Sequence, residues 1–252
     1  MTMSPIVFTD LDDTLFQTAG KMSVDPNPQL IASHATNGKH SYMNEAQSAM
    51  FNWLNVTTRL IPVTARSTDA LERCVLPFSD YKIASNGAVI LREDGTLDPE
   101  WFDRTRKISD AKSEFLESIR NVVTERAQAS QLRHWIVYEQ QLPIYYCVKS
   151  NGDEAWLDEQ QSLLDEVVGD QLFCHRNGNN LAYMPHEISK RSAVEYLIQE
   201  IAESDHRPIW GMGDSLTDLP FMEACQMMVV PSGSQTHNAL NTLPKRGADS
   251  AR

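Results

Sequence analysis

The chain has 252 residues, 41% of them apolar, and a formal net charge of −12 at pH 7. That length holds one large domain or two small ones, with enough apolar content for a real core. The charge argues against a nucleic acid or a membrane surface as partner, because both recruit basic patches; any anionic ligand must be met by locally placed cations. No run of 18 or more apolar residues is present, so no membrane span is expected. Residues 1–5 lack the basic-then-apolar order of a secretion signal. Cys74, Cys147, Cys174 and Cys225 are far apart with no metal-like spacing, which suits a reduced, cytoplasmic protein. Nothing in the sequence fixes an oligomeric state.

The first third alternates strands and helices. Ile6 to Phe8 reads as a buried strand, short and bounded by turn-formers. Gln17 to Tyr42 is polar and too long for an ordinary connection, so a functional flap or a mobile loop is expected there. Met43, Ala46, Met50, Phe51 and Leu54 follow helical spacing. Arg59 to Val63 reads as a second strand. Ser67 is placed to cap a helix carrying Leu71, Cys74 and Val75, stopped by Pro77. Tyr81 to Ala84 reads as a third strand, followed by Ser85-Asn86-Gly87-Ala88. This order predicts a parallel sheet with helices on its faces.

The middle changes character. An amphipathic helix is expected around Phe115, Leu116, Ile119, Val122 and Val123, and a second around Trp156, Leu157, Leu163, Leu164 and Val167, ending near Gly169. Strand pairs are expected at His134 to Tyr138 with Ile144 to Val148, and at Leu172 to His175 with Leu181 to Met184, the latter turning at Asn177-Gly178-Asn179. Helix–strand–strand repeated twice predicts a small antiparallel sheet with helices on one side, of ordinary domain size. Alternation then returns: a helix after Ser189-Lys190, a short strand at Pro208 to Trp210, a helix with Leu219, Phe221 and Met222, and a strand at Met227 to Val230. The polar tail after Ser232 is expected to be loose. The fold class is therefore α/β: a Rossmann-like parallel-sheet core, residues 1–87 and 185–252, with an inserted small α+β cap domain, residues 88–184.

Four strand or helix ends deliver chemistry to one edge of such a sheet, where ligands bind. Asp10-Leu11-Asp12-Asp13-Thr14 follows the first strand. Alternation sends Asp10 and Asp12 to the same side, and two carboxylates that close need a proton or a cation between them. That suits Mg²⁺ together with a nucleophile and an acid. Thr64 and Arg66 follow the second strand, Lys190 opens a helix, and Gly213-Asp214-Ser215-Leu216-Thr217-Asp218 follows the last strand.

In this order the four elements resemble the haloacid dehalogenase superfamily of aspartate-nucleophile phosphohydrolases. The Ser85-Asn86-Gly87-Ala88 step and an insertion between the second and third elements resemble its Cof-like and sucrose-phosphatase-like subclass IIB. The resemblance implies a Mg²⁺-dependent phosphatase acting on a small phosphorylated metabolite, such as a sugar phosphate. Asp10 would attack phosphorus, and Asp12 would protonate the leaving oxygen and then take a proton from water. Thr64 and Lys190 would stabilise the transferring oxygens. Asp10, the backbone carbonyl of Asp12, and Asp214 would hold Mg²⁺. Asp218 would orient Lys190 or a metal-bound water. Thr14, Arg66 and Asn86 face the site and are read as substrate contacts.

Three positions depart from the family pattern. Asp13 stands where Gly is common, Thr217 stands where Asn usually precedes the final Asp, and the Gln17 to Tyr42 segment is long for the subclass. Two rival functions stand beside the phosphatase: a phosphotransferase or mutase on the same scaffold, and a catalytically silent binding or regulatory protein. His40, His134, His175 and His186 lack metal-like spacing and read as surface or core residues. Arg104, Arg106 and Lys107 read as a solvated face.

Overall fold

The computed structural model describes residues 3–126, 132–150, 154–201 and 204–242. In chain order its strands and helices are β1 (Ile6–Thr9), β2 (Gln17–Thr18), β3 (Ile31–Ser33), β4 (Ser41–Tyr42), α1 (Glu45–Thr57), β5 (Arg59–Pro62), α2 (Thr68–Glu72), β6 (Lys82–Ala84), β7 (Val89–Leu91), α3 (Pro99–Arg126), β8 (Leu132–Glu139), β9 (Leu142–Ser150), α4 (Glu154–Val168), β10 (Phe173–Asn177), β11 (Asn180–Met184), α5 (Lys190–Glu200), β12 (Ile209–Met212), α6 (Leu219–Met222), β13 (Met227–Val229) and α7 (Gln235–Asn241).

The core sheet is parallel, in the order β13-β12-β1-β5, as the alternation predicts. β1 lies at its centre and is buried throughout. Its pleat sends Ile6 and Phe8 into one apolar cluster with Ile61, Val194, Leu197 and Phe221, and Val7 into another with Leu54, Leu60 and Leu71. A strand covered on both faces needs apolar residues at consecutive positions, which is why this run does not alternate with polar ones. The third expected strand differs from its reading. β6 pairs antiparallel with β7 and meets the core sheet through a single parallel bridge, Val63 to Ile83. The chain reverses at Ser85-Asn86-Gly87, whose φ angles of 49°, 57° and 96° are all left-handed.

The long polar segment is structured. β2, β4 and β3 form a small antiparallel sheet in that order, so the segment is a folded flap and not a loose loop. Its end is fixed by a reciprocal cap on α1: the Asn44 side chain accepts from the Gln47 N–H, and the Gln47 side chain accepts from the Asn44 N–H.

The inserted module is a four-stranded antiparallel sheet in the order β10-β11-β9-β8. Tyr146, Val148, Leu181 and Tyr183 face α3 and α4. The opposite face carries Tyr145, Cys147 and Ala182, which join the core cluster. α3 spans 28 residues. Its first turns dock on the core through Trp101, which is buried in the apolar cluster with Ile83 and Ile90, and through two hydrogen bonds, Trp101 Nε1 to the Gly87 carbonyl at 2.9 Å and Thr105 Oγ1 to the Ala88 carbonyl at 2.7 Å. The expected loose tail is corrected in part: the Ser234 side chain accepts from the His237 N–H and caps α7, while 243–252 lie outside the described residues. Among the described residues, no helix is long and apolar enough to cross a membrane.

Candidate active site

The carboxyl edge of the core sheet gathers residues from distant parts of the chain. Asp10 leaves β1, Thr64 follows β5, and Asp214 leaves β12. Ser189 caps α5, so Lys190 is its first residue. Lys190 Nζ donates to Asp10 Oδ1 and to Asp218 Oδ1, each at 2.7 Å. All three are nearly sealed from solvent, Asp10 at 7%, Lys190 at 9% and Asp218 at 1% exposure. The second oxygen of Asp218 accepts from the Ser215 N–H at 3.1 Å and the Ser215 hydroxyl at 2.8 Å. Gly213 makes this possible, since a Cβ there would lie 2.5 Å from the Asp218 Cβ. Carboxylate oxygens of Asp10, Asp214 and Asp218 lie within 4.8 Å of one another.

One ammonium does not balance this corner. Burial pushes Asp10 above the ordinary carboxylate range, opposed by Lys190 and reinforced by Asp218. Burial pushes Asp214 up to about 6, with Asp218 and Asp13 adding to it. Burial also works against the charge of Lys190, but Asp10 and Asp218 outweigh it and hold its pKa above the ordinary lysine value. Asp218 is buried too, yet Lys190 and Ser215 keep it below the ordinary carboxylate range. An oxygen-rich, buried and under-neutralised group of this kind fits a hard divalent cation.

The carboxylate of Asp12 is not in that cluster. It is half-exposed and held by a two-pronged ion pair: Arg66 Nε and Nη2 donate to its two oxygens, each at 2.7 Å. Arg66 Nη1 donates to Ser33 Oγ of the flap at 2.6 Å. Arg66, read as a substrate contact, is thus engaged with Asp12 and the flap. Thr64 is buried, and its Oγ1 accepts from the Arg66 N–H at 3.1 Å. Asp13 takes a left-handed φ of 63°, which a Gly would adopt without strain, and pairs with Lys21 of the flap. Thr14 Oγ1 and Asn86 Oδ1 are buried without a hydrogen-bond partner. The Thr217 hydroxyl hydrogen-bonds that of Ser215, so the departure at that position still contributes to the Asp218 environment.

The open face of the inserted sheet roofs the site. A cleft of about 540 Å³ is lined by Asn86 and Asp69 below and by Trp135, Tyr145, His175 and Asn180 above. A smaller one of about 260 Å³ continues past Asn86 and His175 to Lys190 and Thr217. A third, of about 710 Å³, opens on the flap side between Lys21, Gln47, Asp214 and Gln235. His175, which reads from sequence as a bland surface or core residue, lies in both roofed clefts, and burial with Lys190 nearby lowers its pKa. Only three-dimensional pairing of β10 with the rest of its sheet brings it there. Glu139 and Ser33 are equally silent in the sequence, one in a strand end and one in the flap.

No family model matches the sequence, and no curated protein matches it. The fold has clear counterparts among solved structures. Sucrose-phosphatase from Synechocystis sp. PCC6803, solved with sucrose and phosphate, aligns over 95% of this chain and 96% of its own, with a TM-score of 0.60 at 17% identity. Thermoplasma acidophilum 0175 aligns over 95% and 90%, with a TM-score of 0.60 at 14% identity. The C-terminal domain of the C. albicans trehalose-6-phosphate phosphatase aligns over 87% and 73%, with a TM-score of 0.58 at 14% identity. The chain therefore shares the Rossmann-like α/β fold of these solved structures, the architecture that its motifs imply.

Proposed function

We propose that this chain is a Mg²⁺-dependent phosphatase that hydrolyses a small phosphorylated metabolite, with a sugar phosphate as the best candidate. Residues 1–87 and 185–252 would be its catalytic core and 88–184 its cap. The observation that carries the reading is Lys190 bridging Asp10 and Asp218 at the sheet edge, with Asp214 alongside. The roofed cleft supports the choice of substrate: its aromatic rings and neutral polar groups suit the two faces of a sugar.

Asp10 attacks phosphorus and forms an aspartyl-phosphate, while the phosphorus–oxygen bond to the leaving group breaks. Once substrate has drawn one Asp12 oxygen out of the Arg66 fork and that oxygen has taken a proton from water, Asp12 gives the proton to the leaving oxygen, and it later takes one from the water that cleaves the intermediate. Lys190 and Thr64 stabilise charge on the transferring oxygens. Asp218 holds Lys190 in place. Asp10, Asp214 and the Asp12 backbone carbonyl would hold Mg²⁺, which when bound cancels charge between nucleophile and phosphate. Thr14 and Asn86, each with an unpartnered oxygen, are proposed to meet the substrate.

Asp10→Asn keeps the shape of the nucleophile and removes its reactivity. Mg²⁺-dependent hydrolysis of an aryl phosphate should fall by about 10⁴-fold or more, with the circular dichroism spectrum unchanged. Retained activity would rule out the mechanism. Phosphate release from sugar phosphates without isomerisation would separate a phosphatase from a mutase.

A further inference from the structure

Glu139 ends β8 in the cap and is 2% exposed. Its carboxylate has no cation beside it among the described residues. Instead it accepts from three donors of the core: the Thr68 N–H at 2.9 Å, the Thr68 hydroxyl at 2.5 Å, and the Ser85 hydroxyl. Burying a carboxylate is costly unless its oxygens are satisfied, so this contact is specific. Glu139 sits on a two-residue hairpin whose turn residues, Gln140 and Gln141, have φ of 49° and 70°. Neither is Gly or Asn, the usual residues there, so the turn is strained to deliver Glu139.

The residue it holds opens a second strained segment. Ser85, Asn86 and Gly87 are consecutively left-handed. Contacts pin this turn on every side: the Ser85 N–H donates to the Arg66 carbonyl at 2.7 Å, the Asn86 N–H to the Thr64 carbonyl at 3.0 Å, and Trp101 to the Gly87 carbonyl at 2.9 Å. The Asn86 amide lies beside the Tyr145 hydroxyl of the cap. The far end of the turn abuts the start of α5. A Cβ on Gly87 would lie 2.1 Å from the Ser189 carbonyl oxygen and 3.1 Å from the Lys190 nitrogen. The turn is thus a wedge with the cap on one side and the first residue of α5 on the other.

We propose that Glu139 is a positioning residue that couples the seated cap to Lys190 through the Ser85–Asn86–Gly87 turn. It rests on the reading of Lys190 as a catalytic group. With the cap seated, Glu139 fixes Ser85, Gly87 is pressed against Ser189, and the Lys190 ammonium is set between Asp10 and Asp218. When Glu139 lets go of Thr68 and Ser85, the strained turn relaxes and Lys190 is no longer backed by Gly87. Chemistry would then be fastest only when the cap covers the site.

The test compares Glu139→Ala with Glu139→Gln. Gln can keep one accepting oxygen for the Thr68 N–H and Ser85, and donate to the Thr68 hydroxyl. Ala removes all three bonds. On para-nitrophenyl phosphate, whose small leaving group gains little from the cap, Glu139→Ala should lower kcat about tenfold with KM little changed, and Glu139→Gln should restore most of it. Amide hydrogen exchange at Lys190 to Ala193 should quicken in Glu139→Ala, relative to the far end of α5, and stay near wild type in Glu139→Gln. A change in KM alone, or unchanged exchange at the start of α5, would overturn the coupling. A wild-type protein with no phosphatase activity would overturn the functional reading instead, and hydrogen exchange would still decide the coupling.

Discussion

Two sets of charge pairs lie a few residues apart and are built on opposite terms. At the corner, Lys190, Asp10 and Asp218 are almost fully buried, and a single ammonium serves two carboxylates with Asp214 close by. At the rim, Asp12 with Arg66 and Asp13 with Lys21 are open to water on at least one side. In the corner every charge is unscreened, so removing one member leaves another stranded. At the rim, water covers for a missing partner, and the pair is worth little as energy. On the proposed function, the corner would therefore tie stability to chemistry, whereas the rim can be tuned for geometry alone.

The strongest way to break that contrast is Lys190→Met, which fills the same space without charge. Asp10 and Asp218 are then left facing each other in the interior. Stability at pH 7 should fall by about 3–5 kcal/mol, read from urea denaturation, and kcat should fall by about 10²–10³-fold or more. Mg²⁺ should recover part of the missing stability. A variant as stable as wild type at pH 7 without metal would show that the corner is not held by its charge balance.

The next test reverses the sign. Burial raises Asp214 to about 6 in the folded chain, against an ordinary 3.8. Between about pH 4 and pH 6 the folded protein keeps a proton there that the unfolded chain has released. Stability from this group is therefore lost as pH rises through that window. Asp214→Asn has no such penalty. In EDTA, the two proteins should melt together near pH 4, and the variant should melt a few degrees higher at pH 7. Mg²⁺ should raise the melting temperature of the wild type and leave the variant unmoved. Equal melting curves at both pH values would mean that Asp214 is not strained by its surroundings. If Asp214 serves the proposed reaction, a carboxylate that weakens the fold is the usual trade of stability for function.

The corner is legible in the sequence and the rim is not. Asp10, Lys190, Asp214 and Asp218 each sit at the end of an element whose apolar run marks it, so topology alone brings them to one edge. Arg66 can be placed at that edge from its position after β5, but its partner depends on where the flap settles, and Ser33 lies in a segment with no clear period. The α3 helix shows the same limit. Its amphipathic spacing is clear over the inserted sheet, whereas its first turns are held by a single buried ring, Trp101, and by Trp101 and Thr105 reaching back to the Gly87–Ala88 backbone. Contacts of that kind leave no periodic signal. β6 is recognisable as a strand, but its antiparallel partner follows from a left-handed turn that only Gly87 announces.

Arg66 offers the finest distinction, because it can be changed in two ways. Its guanidinium spends three nitrogens on Asp12 and Ser33 and lies 5.0 Å from the centre of the Phe16 ring. Asp12 remains half-exposed, so the pair is screened, and Arg66→Ala should cost only about 1 kcal/mol in urea. Arg66→Lys keeps the charge but cannot reproduce the fork. If the rim serves geometry, Lys should rescue stability and not catalysis: kcat should fall about tenfold in both variants, while the denaturation midpoint of Arg66→Lys stays near wild type. Full activity in Arg66→Lys would show that charge near Asp12 is enough and that its carboxylate needs no fixed direction. Loss of activity with retained stability would place the direction of Asp12, rather than its mere presence, among the requirements of the reaction. The rim would then be set apart from the corner by function as well as by exposure.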